Sequence, residues 1–212
     1  MKFAAQKLVT VLALSACLGG GLGACAPILL GGAVVGALMA TDRRTTGTQI
    51  DDEGIELRAA SGIRENLGER VHVNVTSYNR QVLLTGEVPS AQDKQLAEQV
   101  VSGVGNVRSI VNEIGILGNT SLTQRSSDTL VTGRVKASML DAKDIFFNSF
   151  KVVTERGTTY LMGRVTQREA NRATDIARGI SGVQKVVRVL EIISEEELQG
   201  MLPKTSAAEA NK

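Results

Sequence analysis

A pattern that occurs twice constrains this chain more than any single motif does. Residues 73–88 return in pattern as residues 150–165, and Ser102-Gly103-Val104-Gly105-Asn106-Val107 returns as Ser181-Gly182-Val183-Gln184-Lys185-Val186. The spacing is 77 positions in the first block and 79 in the second, which reads as a two-residue insertion between the blocks. A repeat of this length means two copies of one small unit, each needing its own buried face.

Within each copy the hydrophobic period changes along the chain. Ile55, Ala59, Ile63 and Leu67 recur every four residues, as do Val131, Val135 and Met139, so each copy opens with a helix bearing one apolar stripe. Alternation at Val71, Val73 and Val75, or at Phe150 and Val152, then predicts a strand. Tyr78-Asn79-Arg80 and Glu155-Arg156-Gly157 supply turns into second strands at 81–88 and 158–165. Second helices follow at 90–101 and 167–180, with Leu96 and Val100, or Ala173, Ile176 and Ala177, facing inward. Gly103 and Gly182 read as helix stops, and final strands run over 107–114 and 186–193. The expected class is α+β: two tandem units ordered α-β-β-α-β, each a three-stranded sheet against two helices. Gly86 and Gly163 hold the same place in the second strands, where glycine is costly, so a close helix-sheet approach or a bulge is expected there.

The N-terminus is an address. Lys2 and Lys7 precede an apolar stretch beginning at Leu8, and Leu22-Gly23-Ala24-Cys25 closes it, which reads as a lipoprotein signal peptide cleaved before a lipidated Cys25. Leu14-Ser15-Ala16-Cys17 is the competing site, and the uncharged run 8–40 is also long enough to be an uncleaved span. Diacylation of Cys25, with acyl chains such as palmitate, would anchor the chain firmly and leave no cysteine for a disulfide. The expected organisation is a signal peptide over 1–24, an apolar tether and linker over 25–54, repeat units over 55–117 and 128–193, a polar linker over 118–127, and a flexible acidic, Ala-rich tail over 194–212. Glycines 31, 32 and 36 in the tether would allow close packing on lipid or a helix; a floppy tether fits equally.

Both copies resemble BON domains. The resemblance rests on Leu84-x-Gly86-x-Val88 and Leu161-x-Gly163-x-Val165, on the two Ser-Gly-Val segments, on Thr41-Asp42-Arg43 and Thr48-Gln49-Ile50-Asp51-Asp52 before the first copy, and on Val111-Asn112-Glu113-Ile114 at its end. Glycine-rich filler before Cys25 and a longer acidic tail after Ile193 depart from it. The whole arrangement is similar to dual BON-domain outer-membrane lipoproteins. That resemblance implies a non-enzymatic protein, lipid-anchored in the outer membrane and facing the periplasm. It further implies that the second domain binds anionic phospholipid, that the protein helps maintain membrane integrity, and that it concentrates at the division site. Ala26, not Asp, after Cys25 fits the same destination.

Charge supplies an independent expectation. Residues 55–117 carry six basic and seven acidic side chains, whereas residues 128–193 carry eleven basic and seven acidic. A local positive excess draws anionic headgroups, at about 1 kcal/mol per basic residue near the surface. The segment 141–150 holds three of the four phenylalanines between a helix and a strand. Phe150 should point inward, while Ile145, Phe146 and Phe147 either insert among acyl chains, pack in the core, or meet the first domain. The expected lipid-binding residues are therefore Arg134, Lys136, Lys143, Phe146, Phe147 and Lys151. Arg164, Arg168, Arg172 and Lys185 read equally well as a solvated face. Envelope proteins are the other partner class, which would make the chain an adaptor for cell-wall or outer-membrane assembly factors. Nucleic acid and small-molecule substrates are not expected partners, since no recognition helix or aromatic platform accompanies the charge.

No catalytic constellation stands out: Glu87, Asp93 and Glu169 are scattered candidates without a nucleophile-base pair. His72, the single histidine, reads as a solvent-facing strand residue with no second histidine or cysteine to complete a metal site, and no cofactor is expected beyond the Cys25 lipid. Asp51-Asp52-Glu53 reads as charge at the start of the first helix and Asp128 as a cap of the third. Tyr78 and Tyr160 are expected to be structural or interfacial.

Overall fold

The computed structural model describes residues 42–201. The signal peptide, Cys17, Cys25, the tether glycines and the end of the tail lie outside the described residues. The elements run α1 (Thr46–Leu67), β1 (His72–Tyr78), β2 (Gln81–Val88), α2 (Ala91–Ser102), β3 (Ser109–Asn112), β4 (Gly115–Ile116), α3 (Leu122–Asp141), β5 (Phe150–Glu155), β6 (Thr158–Thr166), α4 (Gln167–Arg178), β7 (Lys185–Ile193) and α5 (Glu195–Met201). The class is α+β, as two tandem α-β-β-α-β units.

Each unit builds its sheet the same way. β1 and β2 form an antiparallel hairpin and β2 then pairs in parallel with β3, with α2 as the crossover that a parallel connection requires. β5, β6 and β7 repeat this order. The third strand of the first unit is broken, because Asn112 turns its side-chain oxygen onto the Ile114 N–H; the chain resumes pairing with β2 as β4.

The apolar stripes lie where the four-residue period places them: Ile55, Ala59, Ile63 and Leu67 of α1, and Val131, Val135 and Met139 of α3, are buried against their sheets. In α2 the buried line is Ala97 and Val101, with Leu96 and Val100 packing beside it. In α4 it is Ala170, Ala173 and Ala177, with Ile176 beside them. Small residues sit where helix and sheet come closest.

Both first helices start earlier than the stripes suggest. Thr45 caps α1 by accepting from the Thr48 N–H, and Ser121 caps α3 by accepting from the Gln124 N–H. Asp52 and Asp128 are therefore buried in the second turn, not at helix termini. Asp52 accepts from the Ser77 hydroxyl at 2.6 Å and from the Asn79 and Arg80 N–H groups at 2.8 and 2.7 Å. Asp128 accepts from the Arg156 and Gly157 N–H groups, both at 2.9 Å. Each aspartate thus pins its domain's hairpin turn, whose two central residues have positive φ: Asn79 and Arg80 in one, Arg156 and Gly157 in the other.

Those landmarks also reset the repeat. Gly103 ends α2, but the glycine that ends α4 is Gly179; Gly182, expected to be the stop, lies in the following turn at φ +100°, where Asn106 (φ +72°) stands in the first copy. The Ser-Gly-Val match of the sequence is therefore three positions out of structural register. No insertion separates the blocks; the second copy is one residue shorter between its second strand and second helix, lacking a counterpart of Pro89.

Gly86 and Gly163 answer to a close approach between strands instead of one between helix and sheet. A Cβ on Gly86 would stand 2.0 Å from the His72 carbonyl oxygen, and one on Gly163 would stand 2.4 Å from that of Ser149. Backbone cannot yield there, so no larger residue fits.

The helix-free faces of the two sheets pack on each other. Tyr78 and Leu83 of the first domain meet Tyr160, Met162 and Val189 of the second, with Val111 and Val187 at the margin. β2 and β6 are consequently buried on both faces, which is why Val82-Leu83-Leu84 and Tyr160-Leu161-Met162 are unbroken apolar runs. Burial pushes the phenols of Tyr78 and Tyr160 up to about 12. After β7 the chain does not fray at once: α5 tucks Leu198 against the body, and Glu197 pairs with Arg164.

Candidate functional site

The outward face of α3 carries the most distinctive surface. Leu122, Leu130 and Leu140 are 78%, 63% and 67% exposed. At 3.6 residues per turn, Leu122 and Leu140 point the same way, with Gly133 and Ala137 between their direction and that of Leu130; all lie opposite the buried Val131, Val135 and Met139. Lys136 borders one side of this ridge and Arg134 the other, both exposed. Arg134 also reaches the Ser181 carbonyl at 3.4 Å.

Pairing the domains on Asp52 and Asp128 sets α1 beside α3 as an internal control. The buried positions match: Ile55 with Val131, Ala59 with Val135, Ile63 with Met139. The exposed ones do not. Where α3 has Leu122, Leu130, Ala137 and Leu140, α1 has Thr46, Gly54, Ser61 and Arg64, and Lys136 is replaced by Ala60. The buried stripe is shared by both copies, whereas the outward apolar residues differ: α1 exposes Ile50 and Leu57 on the corresponding face, and α3 exposes three leucines with Lys136 and Arg134 beside them.

The six expected lipid-binding residues divide. Arg134 and Lys136 flank the ridge, and Lys143 follows the end of α3. Phe146 is 41% exposed, with the Arg43 guanidinium 5.8 Å from its ring centre. Phe147 packs on the second core, which also buries Ile145 and Phe150. Lys151 is elsewhere: its ammonium donates to Glu56 at 2.6 Å and to the Ser77 carbonyl at 3.1 Å, across the domain junction. The ridge leucines were absent from the expectation, although their spacing opposite the core stripe was legible.

Several other basic side chains are held by neighbours. Arg164 pairs with Glu191 and Glu197, Arg172 with Asp144 at 2.8 Å, and Arg168 donates to the Asp144 carbonyl at 2.8 Å. The scattered acidic candidates are occupied too. Asp93 pairs with Arg70 at 2.6 Å, and Glu169 pairs with Arg43. Glu87 is buried at the junction, where its Oε2 faces His72 Nδ1 at 3.0 Å and accepts from the Thr120 N–H and hydroxyl. His72 is accordingly part-buried, not solvent-facing. Among the described residues no helix is long and apolar enough to cross a membrane.

Comparison with known proteins agrees with this architecture. The BON domain model matches residues 51–118 and 127–194. The chain is 39% identical over 171 residues to the outer membrane lipoprotein DolP of Haemophilus influenzae, covering 80% of this chain and 89% of that protein. It is 33% identical to a 21 kDa hemolysin of Actinobacillus pleuropneumoniae, over 72% of this chain and 79% of that one. The osmotically-inducible protein Y of Escherichia coli is 28% identical over 66% of this chain and 72% of its own length. With both repeats matched and most of the chain aligned, this protein belongs to the BON-domain family, as a two-domain outer-membrane lipoprotein.

Proposed function

We propose that the protein binds anionic phospholipid without catalysing a reaction, using the outer face of α3 in the second domain, and so helps maintain the outer membrane from a Cys25 lipid anchor, the division site included. The observation that carries this reading is the ridge of Leu122, Leu130 and Leu140 with the exposed Lys136 and Arg134 at its sides; the outer face of α1 exposes Ile50 and Leu57 but has Ala60 where α3 has Lys136. An amphipathic face of this kind lies in the headgroup region, leucines among the upper acyl chains and basic side chains at the phosphates. A fully transferred leucine contributes about 1.5–3 kcal/mol, and each basic residue about 1 kcal/mol. Anchoring at Cys25 would raise the local concentration of lipid and make a weak face sufficient. The carboxylates that could serve an enzyme are instead engaged in ion pairs and backbone contacts, which supports the non-enzymatic reading.

The test is flotation of the two-domain chain, made without its lipid by Cys25→Ser and signal removal, on vesicles of increasing phosphatidylglycerol. Binding should rise with anionic lipid and fall at least tenfold for Leu130→Asp with Leu140→Asp at unchanged thermal stability. Unaltered flotation of that variant, or a stable envelope-protein partner with no vesicle binding, would favour the adaptor reading.

A further inference from the structure

We propose that His72, Glu87 and Glu155 form a binding site for one divalent transition-metal ion, of which Zn²⁺ is the best match, at the junction of the two domains. His72 and Glu87 are directly opposed across the β1–β2 hairpin, and Glu155 enters from β5 of the second domain. One ligand atom from each lies within 4.8 Å of the other two. One imidazole nitrogen with two carboxylate oxygens is a donor set that suits Zn²⁺ better than Mg²⁺ or Ca²⁺, which take oxygen alone. Bonds of about 2.0–2.2 Å require the three atoms to draw together by side-chain rotation.

Two further features suit a bound ion, although the same residues are also hydrogen-bonded to one another and to Asn74 and Thr120. The Glu87 side chain is fully buried, yet its Oε1 accepts no hydrogen bond; it faces only the Arg156 guanidinium at 3.6 Å. Arg156 stands within ion-pair range of this oxygen but beyond hydrogen-bond distance, and a metal ion bound directly would satisfy the buried carboxylate more closely. The outer contacts, moreover, are those that orient ligands: Thr120 holds Glu87 Oε2 through its N–H and hydroxyl, and Asn74 donates to Glu155 Oε2 at 2.8 Å. The Arg156 side chain is 44% exposed and, with Thr120, lines an open polar cavity of about 520 Å³ next to Glu87, so the cation now facing Glu87 Oε1 is one that solvent can reach. Because the ligands come from both domains, the bound ion would tie the junction together.

The experiment titrates ZnCl₂ into the tag-free, lipidated mature chain in detergent at pH 7, by calorimetry and by thermal unfolding. The expected result is one equivalent per chain, a higher midpoint of unfolding, and at least tenfold weaker binding for His72→Gln and for Glu155→Gln. No binding, equal binding by His72→Gln, or an equal response to Mg²⁺ would overturn the assignment. Should either variant fail to fold, the single histidine supplies an independent readout in the unaltered protein: its ring ¹⁵N resonances must shift on adding Zn²⁺. Zinc binding that leaves them in place would overturn the site.

Discussion

The Arg43 guanidinium holds both carboxylate oxygens of Glu169, each at 2.7 Å, across 126 positions of sequence. It also donates to the Arg164 carbonyl at 2.9 Å, so the segment that follows the tether is fastened to the second domain before α1 begins. Arg44 beside it pairs with Asp42 and Asp52 at 2.8 Å and stacks over the Tyr78 ring at 4.4 Å. The residues just before α1 are thereby fastened to the second domain, the one that bears the leucine ridge.

The latch predicts a response to acid. Burial disfavours a charged Glu169, but the hydrogen bonds from Arg43 and the Thr166 backbone outweigh it and hold the carboxyl below its ordinary value. At Glu191 burial is likewise outweighed, by hydrogen bonds from Arg108 and Asn79. A carboxyl depressed in the folded state contributes stability that is complete above its unfolded value of about 4.3 and is lost as pH falls through the folded value. The contribution of these two carboxyls to stability against urea should therefore be level from pH 7 to about 5 and fall below it. Arg43→Ala, which leaves Glu169 buried without its partner, should cost about 3 kcal/mol at pH 7 and make the acid fall shallower. An acid profile identical to that of the parent would count against the latch.

The hairpin turns predict a stabilising substitution. Arg80 sits at φ +62° and its counterpart Gly157 at φ +71°. A left-handed conformation costs a non-glycine residue about 1 kcal/mol, which the Asp52 carboxylate offsets by accepting the Arg80 N–H. Arg80→Gly should raise stability by about 0.5–1 kcal/mol, whereas Asp52→Ala and Asp128→Ala should each lower it by about 2 kcal/mol. Denaturant midpoints of the three variants decide this.

The helix stripes and strand alternation were legible because they are local periods, and the α-β-β-α-β order followed from them. Asp52 and Asp128 look like helix-terminal residues only if each helix begins where its apolar stripe begins; Thr45 and Ser121 cap the helices several residues earlier. The partnership of His72 with Glu87 needed strand register, and that with Glu155 needed the packing of one domain on the other. No period in a single chain encodes either. The nearness of Lys151 in sequence to Phe146 and Phe147 suggests a lipid-facing side chain, but its ammonium is held by Glu56, nearly a hundred positions away.

The shared sheet interface predicts that the domains unfold together. Leu83 and Met162 are fully buried where the helix-free faces meet, so truncating either opens a cavity touching both domains. Leu83→Ala should cost about 2–4 kcal/mol and lower a single calorimetric transition without splitting it. Two transitions, with only the first domain's displaced, would mean that the faces do not depend on each other. A single domain expressed alone would expose this apolar face, so vesicle binding by such a fragment would not report on α3.

The basic residues of the second domain should separate into two functional groups. Lys136 and Arg134 border the exposed leucines, while Lys151 is spent on Glu56 and the Ser77 carbonyl. With about 1 kcal/mol per charge near an anionic surface, Lys136→Ala and Arg134→Ala should each weaken vesicle binding about fivefold, and the pair should reduce its dependence on salt. Lys151→Ala should leave vesicle binding unchanged and instead lower the midpoint of unfolding, since it removes a contact between the domains. Co-sedimentation at two salt concentrations, with thermal melts of the same three variants, reads both outcomes. A loss of lipid binding by Lys151→Ala without loss of stability would move the lipid-facing surface from α3 to the region around Glu56, where the two domains meet.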